Sequence, residues 1–283
     1  MTVGDRVAFA SHPEPTERYA VTQSILPRVI SAIGANDFAA VTAGALCEFL
    51  GFELTAVFFH RGTGVPAIVC DNFSTVEGRV GIENYIRFTH RINPMLARAS
   101  RAGVYRARDF AAAPGETRGA GDSTSSASSS GASSYVELNA HEELGFRTVG
   151  WPRRQEEICL YLEAGAGLFE LGFYRVRGRS TAPANKIRTL QALSAPIAAA
   201  FDRHEALRAH DRQMAREARD RTDALSPRER EIYDLLLLGC SSATIALRLG
   251  LSHYTVKDHR KHIFRKLRVG SLAELFALSS RSH

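Results

Sequence analysis

The sequence predicts an α+β chain in two parts, an amino-terminal α/β/α domain over 20–201 and an all-α, four-helix domain over 224–283, with a helical linker at 202–223. Three observations lead there. A chain of 283 residues has room for two ordinary domains. Its first 200 residues order as helix, hairpin, helices, strands and a long helix, whereas the last 60 or so hold only short, capped, helical patterns. The charge divides in the same place. Residues 226–283 hold 10 Lys and Arg against 5 Asp and Glu, while the rest hold 26 and 25. A small basic module beside a nearly neutral larger one suggests a nucleic-acid-binding unit attached to something else.

Taking the elements in order, residues 22–50 read as helix, with Leu26, Ile30, Ile33, Val41, Leu46, Phe49 and Leu50 on apolar faces. Leu54–His60 and Ala67–Asp71 are β-branched and aromatic runs around RGTG, the pattern of a hairpin. Gly81–Arg101 returns to helix, with Pro94 starting a second one after Asn93. Val104–Phe110 reads as a short strand and Tyr135–Leu144 as a helix. Three strands are expected at Arg147–Trp151, Glu157–Glu163 and Leu168–Val176, completing a sheet with the hairpin. Pro183–Asp223 is helical, with Pro196 a candidate kink. Leu190, Leu193, Ile197, Ala200, Phe201 and His204 follow the three-four spacing of one buried face. Six arginines and six acids over 202–223 mark a solvated helix or linker.

Between Ala111 and Ser134 the composition breaks, with eight serines from Ser123 onward and no apolar side chain beyond alanine and proline. Such a segment cannot bury a core, so a mobile loop inside the first domain is expected at 111–134.

Several classes are disfavoured. Cys47, Cys70, Cys159 and Cys240 stand far apart with no CxxC, against a disulfide framework or zinc knuckle. No apolar run approaches the roughly 18 residues of a membrane helix, and the first 15 residues lack the apolar core of a secretion signal. A cytoplasmic protein with no membrane partner is expected. Cys70, His60, His90 and Asp71 show no spacing that specifies a nucleophile and base, so no enzyme is expected. No GxxxxGK[ST] occurs, and no cofactor or metal site is expected.

The carboxy-terminal signals are tighter. LSPRERE offers Ser226 as N-cap, Pro227 at the first helical position and Glu229 at the capping-box offset. That helix stops at Gly239. Ser241 or Ser242 caps a second helix ending at Gly250, and Ser252 caps a third, TVKDHRKHIFRKL; a fourth begins near Ser271. Two short helices around a glycine turn, followed by a basic element, make a helix-turn-helix. In the third helix Val256, Ile263 and Leu267 form an apolar stripe with His259 between them, and Lys257, Arg260, Lys261 and Arg265 lie mostly off it. The stripe docks the helix and leaves the bases for an anionic partner. His259 and His262, at i and i+3, could hold a metal, but inward packing of His259 is the expectation.

These residues resemble the LuxR-type DNA-binding domain. The likeness is carried by Leu225–Glu231, Gly239–Ser241, Ile245-Ala246, Leu249, Leu251-Ser252, Thr255–Lys257, His259, Ile263 and Lys266-Leu267, over about 60 residues without a gap. The chain departs from the family's usual pattern at Thr244, His262 and Leu272. The resemblance implies a transcriptional regulator that binds double-stranded DNA at a pseudo-palindromic operator as a homodimer, with RNA polymerase as a further candidate partner. It implies that Lys257 and Lys261 enter the major groove, where lysine donates to guanine O6 and N7. Asp258, on the same edge, either accepts from cytosine N4 or pairs locally with Arg260 or Lys261. Tyr254, Thr255, Arg260 and Arg265 suit phosphate oxygens, which position without specifying, and Ser242 joins the DNA-binding set.

The order of elements in the first 200 residues is similar to the GAF/PAS-like fold of autoinducer-binding regulators. Tyr85–Leu96 resembles their Tyr…Asp-Pro-Val segment, with Asn93 in place of the acid. Gly81 and Arg108 fall near positions where the family carries aromatic residues. The resemblance implies a small-molecule effector, with Tyr85, Phe88, Asn93 and Trp151 as candidate ligand residues. Tyr85, Phe88 and Trp151 are equally readable as core, Asn93 as an N-cap, and Arg108 as facing solvent. A first domain serving only dimerisation or partner binding is the alternative.

Overall fold

A computed structural model describes residues 24–99, 102–110, 135–176, 178 and 181–282. The expected loop at 111–134 lies outside these, as do residues 20–23. The chain divides into two compact units, Met1–Glu205 and Ala206–His283.

In the first unit, α1 (24–31) and α2 (Phe38–Leu50) are separate helices where one continuous stretch was expected. Asn36 and Asp37 with Gly34 at φ +90° interrupt the pattern. The hairpin β1 (Leu54–His60) and β2 (Ala67–Asp71) follows, then α3 (Val76–Arg87), a 3-10 turn at Thr89–Ile92, α4 (Pro94–Arg98), β3 (Gly103–Arg106) and a second 3-10 turn at Ala107–Phe110. From residue 135 onward come β4 (Val136–Leu138), β5 (Phe146–Thr148), β6 (Gln155–Ala164), β7 (Gly167–Val176) and α5 (Ala184–Asp223).

Two expectations are corrected. Tyr135–Leu144 is not helical; Val136–Leu138 pairs with Phe146–Thr148 in a two-stranded sheet, a non-local pairing that overrides the local helix propensity. The strand expected at Arg147–Trp151 therefore belongs to that small sheet. The main sheet runs β2-β1-β7-β6-β3, antiparallel throughout, with β2 and β3 as its edge strands. Pro196 lies inside α5, which runs through it as one helix.

The sheet's two faces differ. Val57, Ile158, Leu160, Leu162, Phe169, Leu171 and Phe173 point to one side and pack on α1, α2 and the first half of α5 through Val29, Phe38, Leu46, Leu190, Ile197 and Phe201. Ala56, Phe58 and His60 on β1, Glu157, Cys159 and Tyr161 on β6, and Glu170, Gly172 and Tyr174 on β7 occupy the alternate positions. All except Gly172 carry side chains, and every one is buried. α3, α4 and the Trp151 loop supply Ile82, Tyr85, Met95 and Trp151 to this face. Glycine is required where these parts meet. A Cβ on Gly81 would stand 2.1 Å from Trp151 Cδ1 and 2.9 Å from the Gly150 carbonyl carbon.

The second unit holds the end of α5, then α6 (Pro227–Leu237), α7 (Ser242–Leu249), α8 (His253–Leu267) and α9 (Leu272–Ser282). Serine begins each of the first three after α5: the Ser226, Ser241 and Ser252 side chains accept from Glu229, Thr244 and Thr255 backbone N–H groups. Ser241, not Ser242, is thus the cap of α7. Glu229 returns a bond to the Ser226 N–H at 2.8 Å, completing a capping box, and takes the Lys266 ammonium at 2.6 Å. The apolar faces converge on Ile232, Leu236, Ile245, Val256, Ile263, Leu267 and Leu275.

Desolvation opposes the Glu229 charge, but the bonds from Lys266 and Ser226 outweigh it and hold the carboxyl at about 2, below its ordinary 4.5. A depressed carboxyl contributes stability above its unfolded value, lost as pH falls through the folded one. Glu229→Gln should cost about 1–3 kcal/mol at pH 7. In chemical denaturation at stepped pH, its deficit should shrink between pH 4.5 and 2; a pH-independent deficit would contradict the ion-pair account. Gly81→Ala should cost about 1–3 kcal/mol by overpacking against Trp151, read as a lowered melting temperature of the first unit.

Candidate DNA interface and candidate effector site

On α8 the side chains divide by angle. Val256, Ile263 and Leu267 are buried on one side. Tyr254, Lys257, Asp258, Lys261 and Arg265 recur at three-four spacing on the opposite side and are exposed, as is Thr255. Tyr254 is 80% exposed, a large aromatic left in solvent at the first turn of the helix. Thr255 Oγ1 lies 2.8 Å from the capping Ser252 hydroxyl. The face holds three exposed cations and one acid.

The remaining two residues of the expected set are drawn together away from it. Arg260 Nη1 donates to Ser242 Oγ at 3.0 Å, and its guanidinium lies 5.6 Å from the Phe264 ring. Ser242 is buried, at the start of α7. Arg260 thus ties α8 to α7, turned toward Ser242 rather than Asp258. His259 is half-buried and His262 exposed. Among the described residues no group of three or more His, Cys, Asp or Glu is arranged to hold a metal.

In the first unit Tyr85, Asn93 and Trp151 come together; Phe88 does not join them. The Tyr85 and Trp151 rings stack with centroids 5.2 Å apart. Asn93 Nδ2 donates to the Tyr85 hydroxyl at 3.3 Å, while its Oδ1 accepts the Met95 N–H at 3.0 Å and caps α4. Phe88 instead stacks on Tyr135 at 3.7 Å. Arg108 is exposed, 3.8 Å from Asp109.

The centre of this region is a residue the sequence reading missed. Glu170, fully buried, accepts from Tyr85 Oη at 2.8 and 2.7 Å on its two oxygens and from Tyr161 Oη at 3.1 Å. His60 Nε2 lies 2.7 Å from its Oε2. Burial, then the Glu170 charge, push the Tyr85 and Tyr161 hydroxyls well above their ordinary range, so both stay protonated donors. Glu157, on the same face, is also buried. Loss of solvent, then Glu170, push it up to about 8, so it holds its proton near neutrality. The missed signal was strict alternation: Glu157, Cys159 and Tyr161 interleave with Ile158, Leu160 and Leu162. That pattern ordinarily means a solvated face, and only the covering helices reveal a buried one.

Between α3 and the sheet lies a small void of about 20 Å3, lined by Tyr85, Asn93, Thr148, Trp151, Gln155 and Glu157 among others. Trp151 Nε1, Gln155 Oε1 and Arg147 Nε, on residues of this lining, are buried without a hydrogen-bond partner among the described residues.

The family model for bacterial regulatory proteins of the luxR family matches residues 223–279. A putative HTH-type transcriptional regulator encoded in the exeN 3′ region of Aeromonas salmonicida is 36% identical over 152 residues, 47% of this chain and 74% of that protein. Among solved structures, the VqsR LBD domain from Pseudomonas aeruginosa aligns at TM-score 0.43 and 14% identity, covering 66% of this chain and 98% of that one. Escherichia coli SdiA aligns at TM-score 0.39 and 13% identity, covering 94% and 98%. With capped α6–α8, a basic exposed face on α8 and that degree of identity to a regulator covered over most of its length, the chain belongs to the luxR family of bacterial helix-turn-helix transcriptional regulators.

Proposed function

We propose that the chain acts in the cytoplasm as a homodimeric, sequence-specific regulator, reading a pseudo-palindromic operator through two copies of α8 under the control of a small molecule held in the first unit. On this reading the effector domain spans 20–201, the linker 202–223 and the DNA-binding domain 224–283, and RNA polymerase is the downstream partner. The observation that carries the DNA half is the exposed face of α8, three cations set opposite the stripe that docks the helix. Lys257 and Lys261, one turn apart, supply base contacts; Tyr254, Thr255 and Arg265 supply phosphate contacts. Arg260 and Ser242 hold α7 and α8 together, and Arg260 keeps donors free for a phosphate. Asp258, turned outward without Arg260, is free to accept from cytosine N4.

Control by a ligand is favoured over a pure scaffold by the polar interior of the first unit. A scaffold gains nothing from buried donors and acceptors left unmade, each costing about 1–3 kcal/mol. Asn93 bears on which ligand. Its carbonyl oxygen is committed to the Met95 N–H, so it is not spare to accept a ligand amide, and Arg108 stands in solvent rather than in the pocket. An acyl-homoserine lactone bound in the family's usual manner is therefore not the effector expected here.

Lys257→Ala and Lys261→Ala should each lose about 1–3 kcal/mol of discrimination between operator and shuffled duplex, while Arg265→Ala weakens both alike and lowers the salt slope by about 1. Competition binding at several salt concentrations measures this; equal losses for all three on both duplexes would put both lysines on phosphates. Small molecules extracted from the purified protein and returned to it should raise its melting temperature and change its operator affinity; extracts that do neither would favour the scaffold.

A further inference from the structure

We propose that the void beneath α3 takes the ammonium of a small primary amine, held by Glu157 and Gln155, as in amino alcohols and amino-acid amides. The inference rests on ligand control and names the ligand class.

Four observations carry it. Glu157, Gln155 and Trp151 are 4%, 8% and 5% exposed and line one void. Its volume of about 20 Å3 suits a single water-sized group, which an ammonium is. Gln155 Oε1 lacks a donor, and Trp151 Nε1 and Arg147 Nε lack acceptors, among the described residues; an ammonium supplies the donor. The charge balance then selects a cation. Glu157 and Glu170 both lie on the buried face, and Glu143 adds to the negative field at Glu157. His60 lies against Glu170. Arg147, the one cation among the described residues that line this void, donates through its two Nη atoms to Glu137 and to the Trp151 carbonyl. Tyr85 and Trp151 add aromatic faces, which attract an ammonium. Trp151 and Arg147 also border an open pocket of about 600 Å3 with Leu54, Phe73, Thr75 and Pro152, where the rest of the molecule extends.

Binding has a protonic signature. Without a ligand Glu157 keeps its proton at pH 7, because burial, then Glu170, raise it to about 8. An ammonium beside it favours the carboxylate, so association should release close to one proton. Tyr174, Cys159, Tyr161 and Tyr85, which also face this region, are pushed well above their ordinary values and stay neutral.

The test uses the full chain with glycinamide, 3-aminopropanol and, as an uncharged comparator, 1,3-propanediol. At ten times their dissociation constants the two amines should raise the melting temperature by about 2–4 °C, and propanediol should not. Calorimetry in two buffers of different ionisation heat should show close to one proton released at pH 7. Glu157→Gln, neutral like the protonated acid it replaces, should leave the free protein's melting temperature nearly unchanged, weaken the amines at least ten-fold and abolish proton release. Equal stabilisation by propanediol, equal amine affinity in the variant, or no proton release would overturn the proposal. An uncharged lactone that binds where the amines do not would also overturn it while leaving small-molecule control standing. Failure of every extract and probe, with operator affinity unmoved, would remove both.

Discussion

A single buried carboxylate organises the ligand side of the first unit. Glu170 sits mid-strand on β7 with no exposure, and burying such a group is tolerable only if its oxygens are filled. Tyr85 from α3, Tyr161 from β6 and His60 from β1 fill them. Three elements are thereby pinned to one strand, and the position of α3 over the sheet follows. Asn93 extends the network by donating to Tyr85 while capping α4, so the entry to the next helix is set by the same bonds. Removing the acid would leave three polar groups buried without it, which is why Glu170 constrains so much around it.

The sheet's division of labour follows from that constraint. Its apolar face packs against α1, α2 and α5. Its polar face is specific. Gly172 leaves room for the Tyr174 ring to lie along the strand, its hydroxyl 2.2 Å from where a Cβ would stand. Gly81 and Gly150 let α3 and the Trp151 loop approach backbone to backbone. The small residues fall where the polar face needs close contact.

The two units differed in how far sequence revealed them. The second is built from local devices: serine caps, a capping box, terminal glycines and a stripe on α8 all act within four residues, so spacing alone located them. Arg260 and Ser242 show the limit, since their bond crosses 18 positions from α7 to α8. In the first unit the hairpin, β6, β7 and the buried face of α5 were legible from period, and Asn93 as a cap from its place before Pro94. What failed was non-local. Tyr135–Leu144 holds helix formers, but a cross-strand ladder with 146–148 outweighs weak propensity. Nothing in the strands that carry Glu157 and Glu170 announces that α3 and α4 cover them.

The proposed recognitions occupy opposite electrostatic regimes. On α8 the charges are exposed cations on long side chains, whose attraction for phosphate acts through water and falls as salt rises. Beneath α3 the charges are carboxyls removed from solvent, where screening ions cannot enter and a partner's charge is felt at close range. Salt should therefore weaken operator binding steeply and amine binding little. pH should act in the reverse sense over its neutral range, because Glu157 is poised to exchange a proton near pH 8. One chain thus carries a surface tuned by ionic strength and an interior tuned by protons, and a titration in each variable would separate the two sites without a single substitution.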